Sequence, residues 1–390
     1  KRSCAYSSPG KTWLGGGWRM RIGIDGRYIQ DRFPGIGRYT FNLARALAQL
    51  ASGDSFLLLH NPRQPSTRHP MGMLSSFPNL ELIEVPIAPF SPAEQWRMPL
   101  LIRGLHLDLF HSPYYIRPYL LPCPAVVTIH DLIPRRYPQY FPSRRARIAF
   151  ALSMRLTTAT ASRIIAVSQA TKADLGHFLK VSPAKISVIY EAADPSFHPR
   201  PVREVRMVLA RWGLEPGYIL YLGINKPHKN LIRLTEAYAC LDTSRPLVLA
   251  GREDPRYPEA KQRVAALGLE GQVRFLGDVL EGSLPALYGG AELFVLPSLW
   301  EGFGLPVLEA MASGVPVACS RVPALLEVVG EAALTFDSLD AEAMAQTLEK
   351  VLSDADLRQR LRQGSLARAR TFSWERAAQE TLAVYREVVG

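Results

Sequence analysis

Two glutamates eight positions apart carry the clearest chemical potential in the chain. They lie in Leu296-Pro-Ser-Leu-Trp-Glu301-Gly-Phe-Gly-Leu-Pro-Val-Leu-Glu309-Ala-Met-Ala-Ser-Gly314. An apolar run ends at Pro297 and a helical pattern starts near Leu305, with Pro306 suited to its first turn. Glu301 therefore falls in a loop, and Glu309 about one turn into the helix. Ionised carboxylates only accept hydrogen bonds, so such a pair suits the vicinal hydroxyls of a ribose and a sugar. Gly302 and Gly304 let backbone approach a ligand closely, and the helix N-terminus offers free N–H groups to a phosphate. The competing account is an ordinary amphipathic helix with two solvated glutamates.

Three further segments join them. Lys229, in Asn225-Lys-Pro-His-Lys-Asn230 after the apolar run Tyr218–Leu222, is a point charge able to steady a diphosphate leaving group; otherwise it is a solvated loop lysine. His130 closes the run Ala125–Ile129, where an imidazole faces a crevice or serves structure, and Asp131 caps or orients the loop that follows. Pro34-Gly-Ile-Gly-Arg-Tyr39 lies between the first strand and the first helix. Its two glycines permit a tight turn against a substrate, or serve turn geometry alone.

The elements that hold these residues read as an α/β fold. Arg21–Asp25, Phe56–His60, Leu80–Val85, Leu109–His111, Ala125–His130, Ile164–Val167 and Ile186–Tyr190 are short apolar runs bounded by turns. Helical patterns separate several of them, as over Phe41–Leu50 and after the N-cap candidate Ser168. A polar, proline-bearing linker follows from about Asp194 to Val202, and the pattern then restarts. Strands are expected at Tyr218–Leu222, Pro246–Ala250, Val273–Leu276, Leu293–Leu296 and Val315–Cys319, with helices at Leu231–Cys240 and Leu305–Ser313. Gly314 suits the position just past the second helix. Two such halves place a ligand crevice between the carboxyl ends of both sheets. The expected division is a leader over 1–19, an N-terminal domain over 20–200, a C-terminal domain over 201–373, and a last helix over 374–390.

Composition bounds the rest. At 390 residues, with 47% hydrophobic and 21% charged residues, the chain suits two globular domains. No run of apolar residues is long and unbroken enough for a transmembrane helix. Residues 1–19 are rich in Gly and Ser, lack a signal-peptide hydrophobic region and are expected to be unstructured. Cys4, Cys123, Cys240 and Cys319 are scattered, without CxxC or zinc-site spacing, which suits reduced thiols in a cytosolic protein. The formal net charge of +11 favours an anionic partner. The run Arg135, Arg136, Arg144, Arg145, Arg147, Arg155 holds no acidic residue between its ends and is interleaved with Tyr137, Tyr140, Phe141 and Phe150. It fits an anionic membrane surface or a merely solvated face; no nucleic-acid-binding motif accompanies it.

The glutamate segment resembles the Glu-x7-Glu motif of the retaining glycosyltransferase family 4. The resemblance runs from Met20 onward through Gly35-Ile-Gly-Arg-Tyr39, His130-Asp131, Ala166-Val-Ser168, the Asn225–Asn230 loop, Phe275-Leu-Gly277 and Phe372-Ser-Trp-Glu375. It implies the GT-B fold: two Rossmann-like domains facing across a cleft, with the last helix packed back on the first domain. It also implies a nucleotide diphosphate sugar as substrate, no cofactor and no metal. Glu301 and His130 would then meet the transferred sugar. Glu309 would bind the ribose, and Gly37, Lys229, Gly304 and Val279 would contact the donor. One common pattern places arginines where this chain has Ile224 and His228, which removes a two-cation clamp unless Arg252 supplies the second charge. The motifs look most like bacterial mannosyltransferases that extend O-antigen-type polysaccharides, implying GDP-mannose, a lipid-linked glycan acceptor and a peripheral position at the cytoplasmic face of a membrane. A nucleotide-sugar epimerase on the same scaffold, and a non-catalytic nucleotide-sugar or polyanion-binding module, are the alternatives.

Overall fold

The computed structural model describes residues 13–14 and 17–390. Most of the leader expected over 1–19, with Cys4, lies outside these residues; within it β1 (Trp13–Leu14) pairs antiparallel with β2 (Gly17–Trp18). The first large sheet contains β3 (Arg21–Asp25), β4 (Ser55–His60), β5 (Leu80–Glu84), β6 (Leu109–Ser112), β7 (Ala125–Ile129), β8 (Arg163–Ala166) and β9 (Ile186–Val188). They run parallel in the order β5-β4-β3-β6-β7-β8-β9. The second contains β10 (Tyr218–Leu222), β11 (Leu247–Ala250), β12 (Val273–Gly277), β13 (Ala291–Leu296), β14 (Val317–Ser320) and β15 (Leu334–Phe336), also parallel, in the order β12-β11-β10-β13-β14-β15. Helices cover both faces of such sheets, so their central strands are nearly unbroken apolar runs; all five residues of β7 and of β10 are buried.

The helices of the first half are α1 (Pro34–Leu50), α2 (Met71–Leu74), α3 (Glu94–Leu105), α4 (Ile133–Arg136), α5 (Arg144–Thr160) and α6 (Gln169–Leu179). Those of the second are α7 (Val202–Leu209), α8 (Leu231–Ala239), α9 (Glu259–Ala266), α10 (Leu284–Gly289), α11 (Leu305–Ala312), α12 (Pro323–Val329), α13 (Ala341–Ser353) and α14 (Ala355–Ala369). α15 (Trp374–Val389) then returns to the first sheet, burying Trp374, Ala378, Leu382 and Tyr385 among Ile22, Ile24, Phe41 and Leu47. Beneath it a buried polar chain runs from the Tyr385 hydroxyl to His111 Nδ1 at 2.5 Å and from His111 Nε2 to Thr128 Oγ1 at 2.9 Å. Burial, and secondarily His130, push the His111 pKa down to about 3, so this ring is neutral.

Ser168 does cap α6, accepting from the Thr171 N–H. Gly314, at φ 73°, ends α11 in the left-handed conformation that glycine adopts freely. One boundary differs. Pro34–Tyr39, expected as a loop, is the first part of α1, because Pro34 presets the first helical turn and Gly37 donates to the Phe33 carbonyl at 2.7 Å. Gly37 also packs closely there: a Cβ would sit 3.1 Å from the Tyr28 carbonyl oxygen. Among the described residues no helix is long and apolar enough to cross a membrane.

Candidate active site

The strand orders reverse beside β3 and beside β10, which opens a crevice at the carboxyl ends of each sheet. The loop after β13 and the first turn of α11 form one wall. Gly304 starts this helix at φ 112°, and a Cβ there would strike Leu325. A Cβ on Gly302 would collide with the carbonyl oxygen of His130, at the end of β7. The Gly302 carbonyl also accepts from Ser168 Oγ at 2.6 Å. Backbone of the two halves therefore meets at Gly302, and only glycine allows it.

Glu301 is 8% exposed and accepts from Ser298 Oγ at 2.5 Å and from Lys229 Nζ at 2.6 Å. Lys229 ends a short turn, Pro227–Lys229, after β10, so the expected sugar carboxylate and the expected phosphate cation form one ion pair. His228 is buried, and burial together with Lys229 and Lys226 holds its pKa down to about 2. It adds no charge. Lys226 does, at a position the sequence reasoning passed over. Desolvation pushes its pKa down, nearby Asp131 opposes this, and Lys229 adds to it, so both lysines and Asp131 share one field. Asp131 itself accepts from the Ile133 N–H at 2.8 Å and orients the loop into α4.

Glu309 is fully buried in α11. Its Oε1 accepts from Arg38 Nη1, and its Oε2 from the Tyr288 hydroxyl at 2.9 Å. Burial raises its pKa to about 7, while the Arg38 charge pulls it back. Arg38 comes from α1 and also binds Glu281 Oε1 at 2.5 Å. Arg38 lies inside the Gly35–Tyr39 motif, but nothing in the local sequence points to a partner 271 residues away. Val279, buried after β12, accepts through its carbonyl from Arg68 Nη1 at 3.3 Å, and Arg68 pairs with Asp278 at 2.5 Å.

His130 Nδ1 lies 2.9 Å from Glu191 Oε1, and Nε2 lies 3.0 Å from the Pro113 carbonyl oxygen. Both ring nitrogens are therefore engaged by groups of the first half of the chain. Neither nitrogen is left over for a sugar hydroxyl, so the ring fits a positioning part through its placement beside the crevice. Arg252 lies in a third segment. It is exposed on the loop after β11 and lines a cavity of about 250 Å³ with Tyr221, Gly223, Asn225, Tyr257 and Phe275. A larger cavity, about 610 Å³, lies where the chain crosses between the halves, and none of the candidate residues line it.

Two parallel sheets facing across a cleft, with carboxylates and cations gathered on both walls, define the GT-B class of glycosyltransferase. The chain belongs to glycosyltransferase family 4. Residues 34–197 match the model of Glycosyltransferase Family 4, and residues 210–368 match that of Glycosyl transferases group 1. O-antigen chain mannosyltransferase B of Escherichia coli is 32% identical, over 94% of this chain and 100% of that protein. Serotype-specific mannosyltransferase WbdA of Escherichia coli is 27% identical over 92% of this chain, which spans 46% of that protein. Among solved structures, sucrose-phosphate synthase from Thermosynechococcus elongatus shares the fold at a TM-score of 0.73 and 23% identity, over 95% of this chain and 99% of that one. Anabaena HepE, solved with UDP and glucose, shares it at 0.73 and 19% identity, over 94% and 99%.

Proposed function

We propose that this glycosyltransferase moves mannose from a nucleoside diphosphate donor, GDP-mannose, to a hydroxyl of a glycan or lipid-linked acceptor in cell-surface polysaccharide synthesis, with retention of the anomeric configuration. The observation that carries this is the Lys229–Glu301 pair at the mouth of α11 with Glu309 deeper in the same helix. The mannosyltransferase names of similar proteins support the choice of sugar. Glu309 is fully buried against Arg38 and Tyr288, and ribose hydroxyls replace the Arg38 contact on its carboxylate. Lys229, Lys226 and the α11 N-terminus oppose the negative charge that develops on the leaving diphosphate. Gly304, Val279 and Gly37 border the donor by backbone, and Arg252 contacts it from the β11 loop.

As the bond from the anomeric carbon to the diphosphate oxygen breaks, positive charge grows on the sugar ring and Glu301 stabilises it. The acceptor oxygen attacks from the face the diphosphate leaves, and its proton passes to a phosphate oxygen of the leaving group. The ring of His130, held by Glu191 and the Pro113 carbonyl, packs beside the sugar on the opposite wall. The proposed location is the cytoplasmic side of the cell membrane, peripheral to it. Incubation with GDP-mannose and a synthetic lipid-linked glycan, followed by NMR of the product's anomeric centre, tests this. An axial mannosyl product supports it; an equatorial linkage, or donor turnover without transfer, refutes it.

A further inference from the structure

Outside the cleft, α3 and α5 leave large apolar side chains in solvent. Trp96 and Leu100 stand one turn apart on α3, each 62% exposed, and Ile148 and Leu152 do the same on α5, at 65% and 56%. Apolar residues at this spacing ordinarily face a core. Here Met98 and Ile102 of α3 and Phe150 and Met154 of α5 already do so. The segment between β6 and β7 ties the two helices together. Gln95 donates to the Arg117 carbonyl at 3.0 Å, and Arg117 Nη2 donates to Thr160 Oγ1 at 2.7 Å. Leu120 projects from that segment and is 80% exposed.

Arginines rim these residues: Arg97, Arg103, Arg144, Arg145, Arg147 and Arg155 are all exposed. Residues 95–173 contain two acidic side chains, Asp108 and Asp131, and neither is exposed. Both helices begin at the cleft end of the sheet. Glu94, at the start of α3, binds Arg27 at 2.5 Å beside Asp25, the last residue of β3, and the chain into α5 leaves β7 at His130. The basic run over Arg135–Arg155 is divided by the fold. Arg136 is spent on Asp174 at 2.6 Å and lies 3.5 Å above the Trp300 ring, so it belongs to the contact between the two halves.

We infer that the face formed by Trp96 and Leu100, Leu120, and Ile148 and Leu152 docks on an anionic lipid bilayer. The apolar side chains enter the interface, and the surrounding arginines meet the phosphates of the headgroups. Charge complementarity calls for an anionic occupant, and the aliphatic side chains Leu100, Leu120, Ile148 and Leu152, which give a base no stacking plane, favour a lipid interface over nucleic acid. The inference draws on the proposed transfer only in that a lipid-linked acceptor would then lie at the mouth of the cleft.

The test is sedimentation of the full chain with phosphatidylcholine vesicles that contain or lack phosphatidylglycerol. Binding is expected only to the anionic vesicles and is expected to weaken with salt. The double variant Ile148→Glu/Leu152→Glu should lose about tenfold or more in partitioning. Arg144→Ser/Arg145→Ser/Arg147→Ser should lose the salt-dependent part. Far-UV circular dichroism and transfer to a water-soluble acceptor are read in parallel and should match the unaltered chain for both variants. Equal binding to both vesicle types would overturn the inference, as would unchanged binding by the glutamate variant. So would a dimer in sedimentation velocity that Ile148→Glu dissociates. Transfer to the soluble acceptor reports on the proposed reaction separately, so failure of docking and failure of that reaction are distinguishable.

Discussion

Glu309 offers a prediction in which acidity, stability and binding are linked. Its carboxyl titrates near 7 in the folded chain against 4.5 for an ordinary glutamate, because burial outweighs the attraction of Arg38. The unfolded chain therefore releases this proton first. Stability falls as pH rises from about 4.5 to about 7 and is flat above that, a total of roughly 3 kcal/mol for this one group. Binding should run the other way, because two hydroxyl donors are best met by the ionised carboxylate. The ionised fraction grows from roughly a tenth at about pH 6 to nine tenths at about pH 8, so affinity should rise close to tenfold. A nucleotide sugar is the right probe, since its diphosphate is esterified at both ends and does not titrate in this range. Calorimetric titration of GDP-mannose against pH should show the rise in the unaltered chain. In Glu309→Gln the profile should be flat and affinity lower throughout. Denaturation across the same range should show the Gln variant gaining relative stability between about pH 5 and pH 7. A flat affinity profile in the unaltered chain, or the same slope in both proteins, would refute the assignment of Glu309 to the donor.

Glu301→Ala should depress kcat by on the order of a hundredfold while donor affinity changes far less, because its charge acts where positive charge develops; initial-rate kinetics beside calorimetry separate the two. Transfer should survive excess EDTA, since lysines and a helix N-terminus serve the diphosphate; a loss beyond about tenfold, roughly 1.4 kcal/mol of barrier, restored by one metal, would contradict this. Gly302→Ala should reduce transfer and cost about 1–3 kcal/mol of stability by driving its methyl group into the His130 carbonyl, measured by chemical denaturation and by rate.

The sheets were readable in the sequence because parallel strands buried on both faces are short apolar runs with no alternation, and β7 and β10 fit that description. The start of α1 was not. Gly35 and Gly37 suggest a turn by local preference, whereas Pro34 and the packing of Gly37 on Tyr28 carry the helix through them. Glu301, Glu309 and Lys229 stood out because local spacing places them at a strand end and a helix start. Arg38 did not, since nothing near position 38 announces a carboxylate 271 residues on. The exposed stripes on α3 and α5 were hidden for the opposite reason. Apolar residues one turn apart look like core, and only the packed structure reveals that other residues on the same helices fill it.

The two ion pairs of the cleft explain why so many charges can persist in a partly buried site. A buried charge left alone is strongly destabilising, and a partner removes most of that penalty without making the pair a large source of stability. Lys229 compensates Glu301, and Arg38 compensates Glu309 and Glu281. In each pair one member faces a group that a nucleotide sugar would bring, a phosphate for Lys229 and hydroxyls for Glu309. The exchange of partners then costs less than stripping water from isolated ions would. Arg38 comes from the first half of the chain and Glu309 from the second, so the same exchange bears on how firmly the halves hold together. Donor affinity and interdomain contact should consequently change together when Arg38 is altered, whereas changes at Lys229, whose partner lies in its own half, should move affinity alone.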